Sequence, residues 1–378
     1  MTKAIKKNRI AIVIHSLAGG GAERVACNLA DSLLQKKYEV SVITFVGPAE
    51  DQYEINSKIV RYNLEVEHTE NSTLHSVFEN FKTIKKLRRR LRYIDPDVIL
   101  SFMSETNVKS ILANFGLDSK LIVSERIHPP QFPIGRIWSF LRRYFYRYAD
   151  CVVVQTGKTR DWVAEYCKGS DVIVIPNAAV WPMPNLPPFV AVDQHVCDET
   201  SVILVLAKLR SQKGIHRTLD AFASIPEKTR KGWCIVIAGD GPLLESLQIH
   251  SLKLNISDSV IFVGRVGNVS HWYGRADIFA MSSYVEGFPN SLLEAMCAGC
   301  AVISMDCDTG PGELIDNNEN GILVEQDDIA SFSDSLRHLI SSSKDRERLG
   351  LSAQKVRDKY DSEKILSRWE SCINRVTS

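Results

Sequence analysis

Two series of short β-branched runs, each interleaved with helical patterns, constrain this chain more than any other feature. The first series holds Ile10–Ile14, a helix from about Ala22 to Gln35, Val40–Phe45, Val98–Phe102, Leu121–Ser124 and Cys151–Gln155. The second holds Val202–Ala207, Cys234–Ala238, Val260–Val263, Ile278–Met281 and Ala301–Ser304. Such alternation predicts parallel sheets with both faces covered, because crossover helices bury each strand on two sides. Between the series, a Pro-rich stretch from Trp181 to about Asp198 breaks the pattern and reads as a linker. The expected fold class is α/β, with two doubly wound Rossmann-like domains over residues 1–180 and 181–361. A last helix over about 362–378 is expected to cross back to the first domain. Ligands of open parallel sheets sit beyond the carboxyl ends of the strands, so two facing domains are expected to share a central cleft.

A chain of 378 residues is long enough for two separate cores, and 44% hydrophobic against 24% charged residues excludes a disordered chain. Nine cysteines without regular spacing fit reduced thiols in the cytoplasm better than a disulfide framework. Cys297 and Cys300 form a single C-x-x-C pair that no second pair or histidine cluster completes, so no metal site is expected there. Lys3, Lys6, Lys7 and Arg9 precede Ile10–Ile14, but that apolar run is too short for a signal peptide and leads to glycines. No stretch reaches the length of a membrane span.

The candidate site residues fall where strands end. Ser16-Leu17-Ala18-Gly19-Gly20-Gly21 follows the first strand, and Gly20 and Gly21 would leave amides exposed at a helix N-terminus, a natural place for an anion. Lys208 and Lys213 lie in one loop after the first strand of the second series, positioned to hold phosphate. Gly239 and Gly241 form the next close-approach turn. Glu286-Gly287-Phe288-Pro289-Asn290-Ser291 then leads from a strand into a helix that carries Glu294. The amides around Asn290 and Ser291 suit a phosphate, and the two carboxylates suit sugar hydroxyls. For Glu294 a second reading stays open: Ser291-x-x-Glu294 is also a capping box, in which the carboxylate only satisfies backbone amides.

In this order, the glycine loop, Ile175-Pro176-Asn177, the Lys208/Lys213 loop, Ala238-Gly239-Asp240-Gly241 and the spacing of Glu286 to Glu294 resemble the GT-B glycosyltransferases of retaining family 4. The resemblance implies that Lys208 and Lys213 hold a donor diphosphate and Glu294 the ribose. It implies that Glu286, with the Phe288, Pro289 and Asn290 backbone, holds the transferred sugar. Gly20, Gly21, Gly239, Gly241, Val266 and Ser291 complete the implied donor-binding set. The family usually carries arginine where this chain has Lys208, which exchanges a bidentate contact for a point charge. His128 is the nearest candidate for a histidine that many relatives place by the reacting carbon, and Glu125 and Arg126 are candidates for the acceptor side. Thr309-Gly310-Pro311-Gly312-Glu313 is similar to bacterial transferases that build oligosaccharides on lipid carriers, several of them using UDP-N-acetylgalactosamine or UDP-galactose.

The resemblance further implies transfer with retention from a UDP-linked donor to a membrane-associated glycan acceptor, with no metal and no cofactor. Two basic amphipathic stretches, Lys82–Arg92 and Arg136–Tyr148, fit an anionic membrane surface, which would place the protein on the inner face of the cytoplasmic membrane. No nucleic-acid partner is expected. The competing readings are a sugar-nucleotide epimerase, which needs no acceptor, and an inactive scaffold that binds glycan.

Overall fold

The computed structural model of the protein describes residues 9–66, 73–132 and 134–378; Lys3, Lys6 and Lys7 of the leading basic run lie outside the described residues. The chain divides into two compact units, one running to Asn177 and completed by Glu363–Ser378, the other spanning Ala178–Ser362.

The N-terminal unit is built from β1 (Arg9–Ile14), α1 (Gly21–Gln35), β2 (Glu39–Thr44), β3 (Val60–Asn63), α2 (Thr73–Ile94), β4 (Val98–Phe102), α3 (Ser104–Asn114), β5 (Lys120–Ser124), α4 (Arg136–Phe145), β6 (Cys151–Val154), α5 (Gly157–Ala164) and β7 (Asp171–Val174). Its seven strands lie in the order β3-β2-β1-β4-β5-β6-β7, all parallel. Continuous runs such as Ile10–Ile14 and Val98–Phe102 form the central strands, where side chains on both faces are buried. The sequence reading passed over β3 and β7. They are edge strands of four residues with exposed or only partly buried side chains; β3 lacks an apolar run, whereas β7 carries Val172-Ile173-Val174 immediately before the Ile175-Pro176-Asn177 break.

The C-terminal unit holds β8 (Ser201–Leu206), α6 (Ile215–Ser224), α7 (Glu227–Arg230), β9 (Trp233–Ala238), α8 (Leu244–Lys253), β10 (Val260–Gly264), α9 (Val269–Arg275), β11 (Ile278–Met281), α10 (Asn290–Ala298), β12 (Ala301–Asp306), α11 (Pro311–Leu314), β13 (Ile322–Glu325), α12 (Ile329–Ser341), α13 (Ser343–Ala353) and α14 (Val356–Lys359). The six strands follow the order β10-β9-β8-β11-β12-β13, again all parallel. Chain order reverses between β8 and β11, and the loops after these two strands therefore flank a natural binding crevice.

Trp181 to Asp198 is more than a spacer. Gly267 donates its amide to the Pro188 carbonyl at 2.7 Å and accepts from the Leu186 amide at 3.1 Å. Asn268 exchanges two hydrogen bonds with the Val190 backbone, at 2.9 and 3.0 Å. The segment runs as an extra layer over the loop after β10, held by these hydrogen bonds and by Trp181, Val190, Val192 and Val196 packing on the core of the unit.

The last helix, α15 (Ser362–Thr377), buries Ile365, Leu366, Trp369, Cys372 and Ile373 along one stripe. Trp369 meets Phe102 with ring centroids 6.0 Å apart, and Arg368 donates to the Val174 carbonyl at 2.7 Å. These contacts make α15 part of the N-terminal unit although it follows the C-terminal one in sequence.

Candidate active site

In the C-terminal unit the crevice between the β8 and β11 loops is closed at its base by short polar contacts. Ser282 Oγ donates to the Gly214 carbonyl at 2.9 Å, and the Tyr284 amide donates to the Gln212 carbonyl at 2.8 Å. Gly214 sits in the left-handed region at φ 56°, where a Cβ would lie 2.2 Å from the Ser282 carbonyl oxygen. Only glycine lets these loops meet so closely.

This stitching brings Lys213 Nζ to 2.7 Å from Glu286 Oε1. Ser283 Oγ donates to the same carboxylate oxygen at 2.8 Å, and Thr309 Oγ1 donates to the Glu286 carbonyl at 2.6 Å. Glu286 is thus held by a cation, a hydroxyl and a braced backbone, while Lys213 keeps part of its surface open. Lys208 is exposed on the same loop and is not drawn into this cluster. Ser283 and Thr309 were not picked out by sequence reasoning as supports of Glu286; a serine three residues before a glutamate carries no signal of its own.

Helix α10 opens directly after this cluster. Its N-cap is Pro289, without a side-chain cap, and the first helical hydrogen bond runs from the Leu293 amide to the Pro289 carbonyl. The amides of Asn290, Ser291 and Leu292 therefore have no carbonyl to meet within the helix, and the positive end of its dipole suits an anion. The capping-box reading is corrected here: Ser291 is the second helical residue, so Glu294 lies in the second turn. There the Tyr273 hydroxyl donates to Glu294 Oε2 at 2.9 Å. Phe288 turns its ring inward onto Tyr360, with centroids 5.6 Å apart, so only its backbone is available to a ligand.

Gly239 and Gly241 are glycines for a reason other than the one expected. A Cβ at 239 would lie 1.9 Å from the Ala207 carbonyl oxygen, and one at 241 would lie 2.6 Å from that of Leu209. Their close approach is to the β8 loop itself, which the Leu209 amide reinforces by donating to the Asp240 carbonyl at 2.7 Å. Val266 is buried beside Gly267, in the loop that the 186–190 segment covers.

In the N-terminal unit, Gly20 caps α1 with extended backbone and no side-chain cap, and Glu23 supplies negative charge in the first turn. A Cβ at Gly20 would fall 2.0 Å from Glu23 Oε2, so that carboxylate lies over the glycine turn. Beyond β5, Glu125 is fully enclosed. Ser104 Oγ reaches both of its oxygens at 2.8 Å, Tyr146 donates at 2.8 Å and Arg142 lies 3.9 Å away. Burial pushes the Glu125 carboxyl upward, opposed by Arg142, Tyr146 and Ser104. Arg126 is buried as well, with its guanidinium donating to Asn177 and lying over the Phe102 ring; burial lowers it to about 9. His128 is buried with Nδ1 3.0 Å from Thr159 Oγ1. These positions correct the expectation that Glu125 touches an acceptor: its oxygens are taken up inside the unit, and it braces the β5 loop. His128 is likewise enclosed against the start of α5.

Comparison with known proteins finds matches in both units. Residues 19–179 match the family model "Glycosyltransferase Family 4", and residues 193–356 match "Glycosyl transferases group 1". The chain belongs to the family 4 glycosyltransferases of GT-B fold. One relative of this glycosyltransferase is the GalNAc-alpha-(1->4)-GalNAc-alpha-(1->3)-diNAcBac-PP-undecaprenol alpha-1,4-N-acetyl-D-galactosaminyltransferase of Campylobacter jejuni. It is 28% identical, over 97% of this chain and 99% of the relative. Among solved structures, the sucrose-phosphate synthase of Thermosynechococcus elongatus superposes with a TM-score of 0.82 at 17% identity, covering 97% and 98% of the two chains. HepE of Anabaena, solved in complex with UDP, superposes with a TM-score of 0.75 at 17% identity, covering 97% and 100%. Among the described residues of this glycosyltransferase, no helix is long and apolar enough to cross a membrane.

Proposed function

We propose that this glycosyltransferase moves a hexose or N-acetylhexosamine, with retention, from a UDP-linked donor to a lipid-linked glycan at a bacterial membrane surface. The observation that carries the reading is the Lys213–Glu286 pair at the reversal point of the C-terminal sheet, next to the uncapped start of α10. In this reading Lys213 serves as a phosphate-binding cation and Glu286 as a sugar-binding carboxylate, with the helix amides beside them. Lys213 and the α10 amides take the diphosphate, with Lys208 reaching it from the outside of the loop. Glu286 and the Phe288–Asn290 backbone take the sugar hydroxyls, and Glu294 takes the ribose.

In this mechanism the bond from the anomeric carbon to the diphosphate oxygen breaks, and the acceptor oxygen bonds to the same face. The departing phosphate oxygen accepts the acceptor's proton, so no protein base is needed. Lys213 stabilises the charge that builds on the diphosphate, which makes preorganised electrostatics the main catalytic contribution. Two ammonium groups and helix amides supply the positive charge that a metal would otherwise bring, so the reaction is proposed to run in chelator. A UDP donor is supported by the fold neighbour HepE, solved in complex with UDP, and a lipid-linked acceptor by the Campylobacter relative, named for a glycan on PP-undecaprenol.

Membrane contact is assigned to α4 and not to α2. On α2, Leu87 and Leu91 are buried in the core, Lys86 donates to the Leu64 and Glu65 carbonyls, and Arg88 donates to those of Ala113 and Phe115. The Lys82–Arg92 stretch thus turns its apolar stripe to the core, and it is left out of the proposed membrane contact although Lys82, Lys85, Arg89 and Arg92 are exposed. On α4 and just after it, Ile137 and Phe140 are 64% and 66% exposed, and Tyr144 and Tyr148 continue the same outward stripe beside Arg136, Arg143 and Arg147. An outward aromatic stripe flanked by cations matches the chemistry of an anionic interface.

The test is UDP release from a panel of UDP-sugars with and without lipid-linked acceptor, in the presence of chelator, with product anomer read by NMR. Acceptor-dependent release and an α-linked product are expected. Isomerised donor without acceptor, or a β-linked product, would overturn the reading.

A further inference from the structure

Helix α10 buries Glu294 to 6% exposure, in a stretch whose neighbours Leu292, Leu293, Ala295 and Met296 are all core residues. A carboxylate there is a poor choice for stability alone, since an apolar side chain of similar volume would pack without desolvating a charge. Directly facing it on α9 is Tyr273, 1% exposed, whose ring packs against Phe279 and Trp181 with centroids 6.0 and 6.4 Å away. Phenylalanine would fill the same space, and a buried phenol is unfavourable unless its hydroxyl finds a partner. That partner is Glu294 Oε2, at 2.9 Å. Two polar groups have thus been placed opposite each other within an apolar layer.

We propose that Tyr273 is a positioning residue for donor recognition, holding the Glu294 carboxylate in the orientation that accepts the vicinal hydroxyls of a ribose. This rests on the reading of Glu294 as the ribose ligand. The phenol anchors one carboxylate oxygen from the α9 side, which removes the rotation about the last side-chain bond. A carboxylate fixed this way meets both hydroxyls without reorganising, and a hydrogen bond to a charged group is strong enough to fix it. The ring itself packs against two aromatic neighbours in the buried layer, which restricts the movement of the anchor.

The experiment compares the binding of UDP and of 2′,3′-dideoxy-UDP to the full chain by calorimetry, in the unaltered protein and in Tyr273→Phe. The unaltered protein is expected to prefer UDP. Tyr273→Phe is expected to bind UDP about tenfold more weakly while leaving dideoxy-UDP nearly unchanged, so that the preference collapses. A general loss of packing would weaken both ligands alike and overturn the assignment, as would an unchanged preference in Tyr273→Phe. Glu294→Gln supplies a second arm: adding Tyr273→Phe to it is expected to produce no further change, and a further tenfold loss would also overturn the inference. If the unaltered protein binds both nucleotides equally, the ribose role of Glu294 fails first, and Tyr273 fails with it.

Discussion

Replacing Lys213 by alanine separates a catalytic cation from a structural one. The folding cost follows from its surroundings: the Lys213 and Glu286 side chains are 29% and 10% exposed, and Ser283 Oγ still donates to Glu286 after the ammonium is gone. A partly exposed pair with a surviving partner contributes about 1 kcal/mol to folding. For a unit of this size that is a shift in Tm of about 2–4 °C. The effect on the reaction is larger. At an effective dielectric near 20, an ammonium about 4 Å from a phosphate oxygen contributes roughly 4 kcal/mol, and removing one preorganised donor costs about 3–4 kcal/mol of transition-state stabilisation. The expected loss in kcat/KM is therefore on the order of 100- to 1000-fold. Initial rates of acceptor-dependent UDP release, taken beside thermal melts, measure both quantities in one preparation. Lys213→Arg keeps the charge and is expected to recover part of the rate. A kcat/KM within threefold of the unaltered protein would refute the role, and a drop in Tm above about 10 °C would show that the lysine mainly holds the fold.

Three other outcomes follow from particular contacts. Gly239→Ala forces φ 148° on a residue with a Cβ and drives that carbon to 1.9 Å from the Ala207 carbonyl oxygen. A loss of about 3 kcal/mol is expected, read as a fall in Tm of roughly 6–12 °C; an unchanged melt would show that the β8 loop yields freely. Cys197 is exposed whereas the other eight cysteines are buried, and burial raises thiols such as Cys27, Cys297 and Cys300 to about 12. At pH 8 these buried thiols carry almost no thiolate, so a thiol reagent is expected to label one cysteine in the native protein and nine after denaturation; rapid labelling of Cys300 would contradict this burial. Vesicle co-sedimentation with anionic lipid is expected to fall about tenfold or more in Phe140→Ser/Tyr144→Ser and to change little in Lys85→Glu; the opposite pattern would return membrane contact to α2.

The central strands were legible because a strand buried on both faces must be apolar along its whole length, and Ile10–Ile14 and Val202–Leu206 satisfy that without exception. The edge strands β3, β7 and β13 were not. An edge strand is relieved of one neighbour: Val60-Arg61-Tyr62-Asn63 has no apolar run, and the short run Val172-Ile173-Val174 sits between an exposed Asp171 and the Pro176 break. The two basic helices show a different limit. Both combine cations with an apolar stripe at helical spacing, and the pattern fixes only that the stripe must meet something apolar. On α2 that partner is the core around Leu121 and Val123, whereas on α4 much of the stripe is left outside. The stretches differ in that Arg136–Tyr148 carries aromatics and Lys82–Arg92 carries none, but which face is covered depends on the crossover that places each helix.

Glu294 shows why the most informative segment of the sequence still held two readings. Whether it caps or binds depends on where α10 begins, and a shift of two residues decides between them. With Ser291 as N-cap, Glu294 would occupy the third helical position and reach back to the backbone. Proline at 289 moves the start forward, because its missing N–H is no loss there and its fixed φ suits a helix entrance. Asn290 then becomes the first helical residue and Glu294 the fifth, two residues past the position from which its carboxylate would reach the cap. Tyr273, itself held on α9, is the group it meets instead. A proline whose position sets helix register thus frees a carboxylate from capping, and the hydroxyl across from it gives that carboxylate a fixed direction.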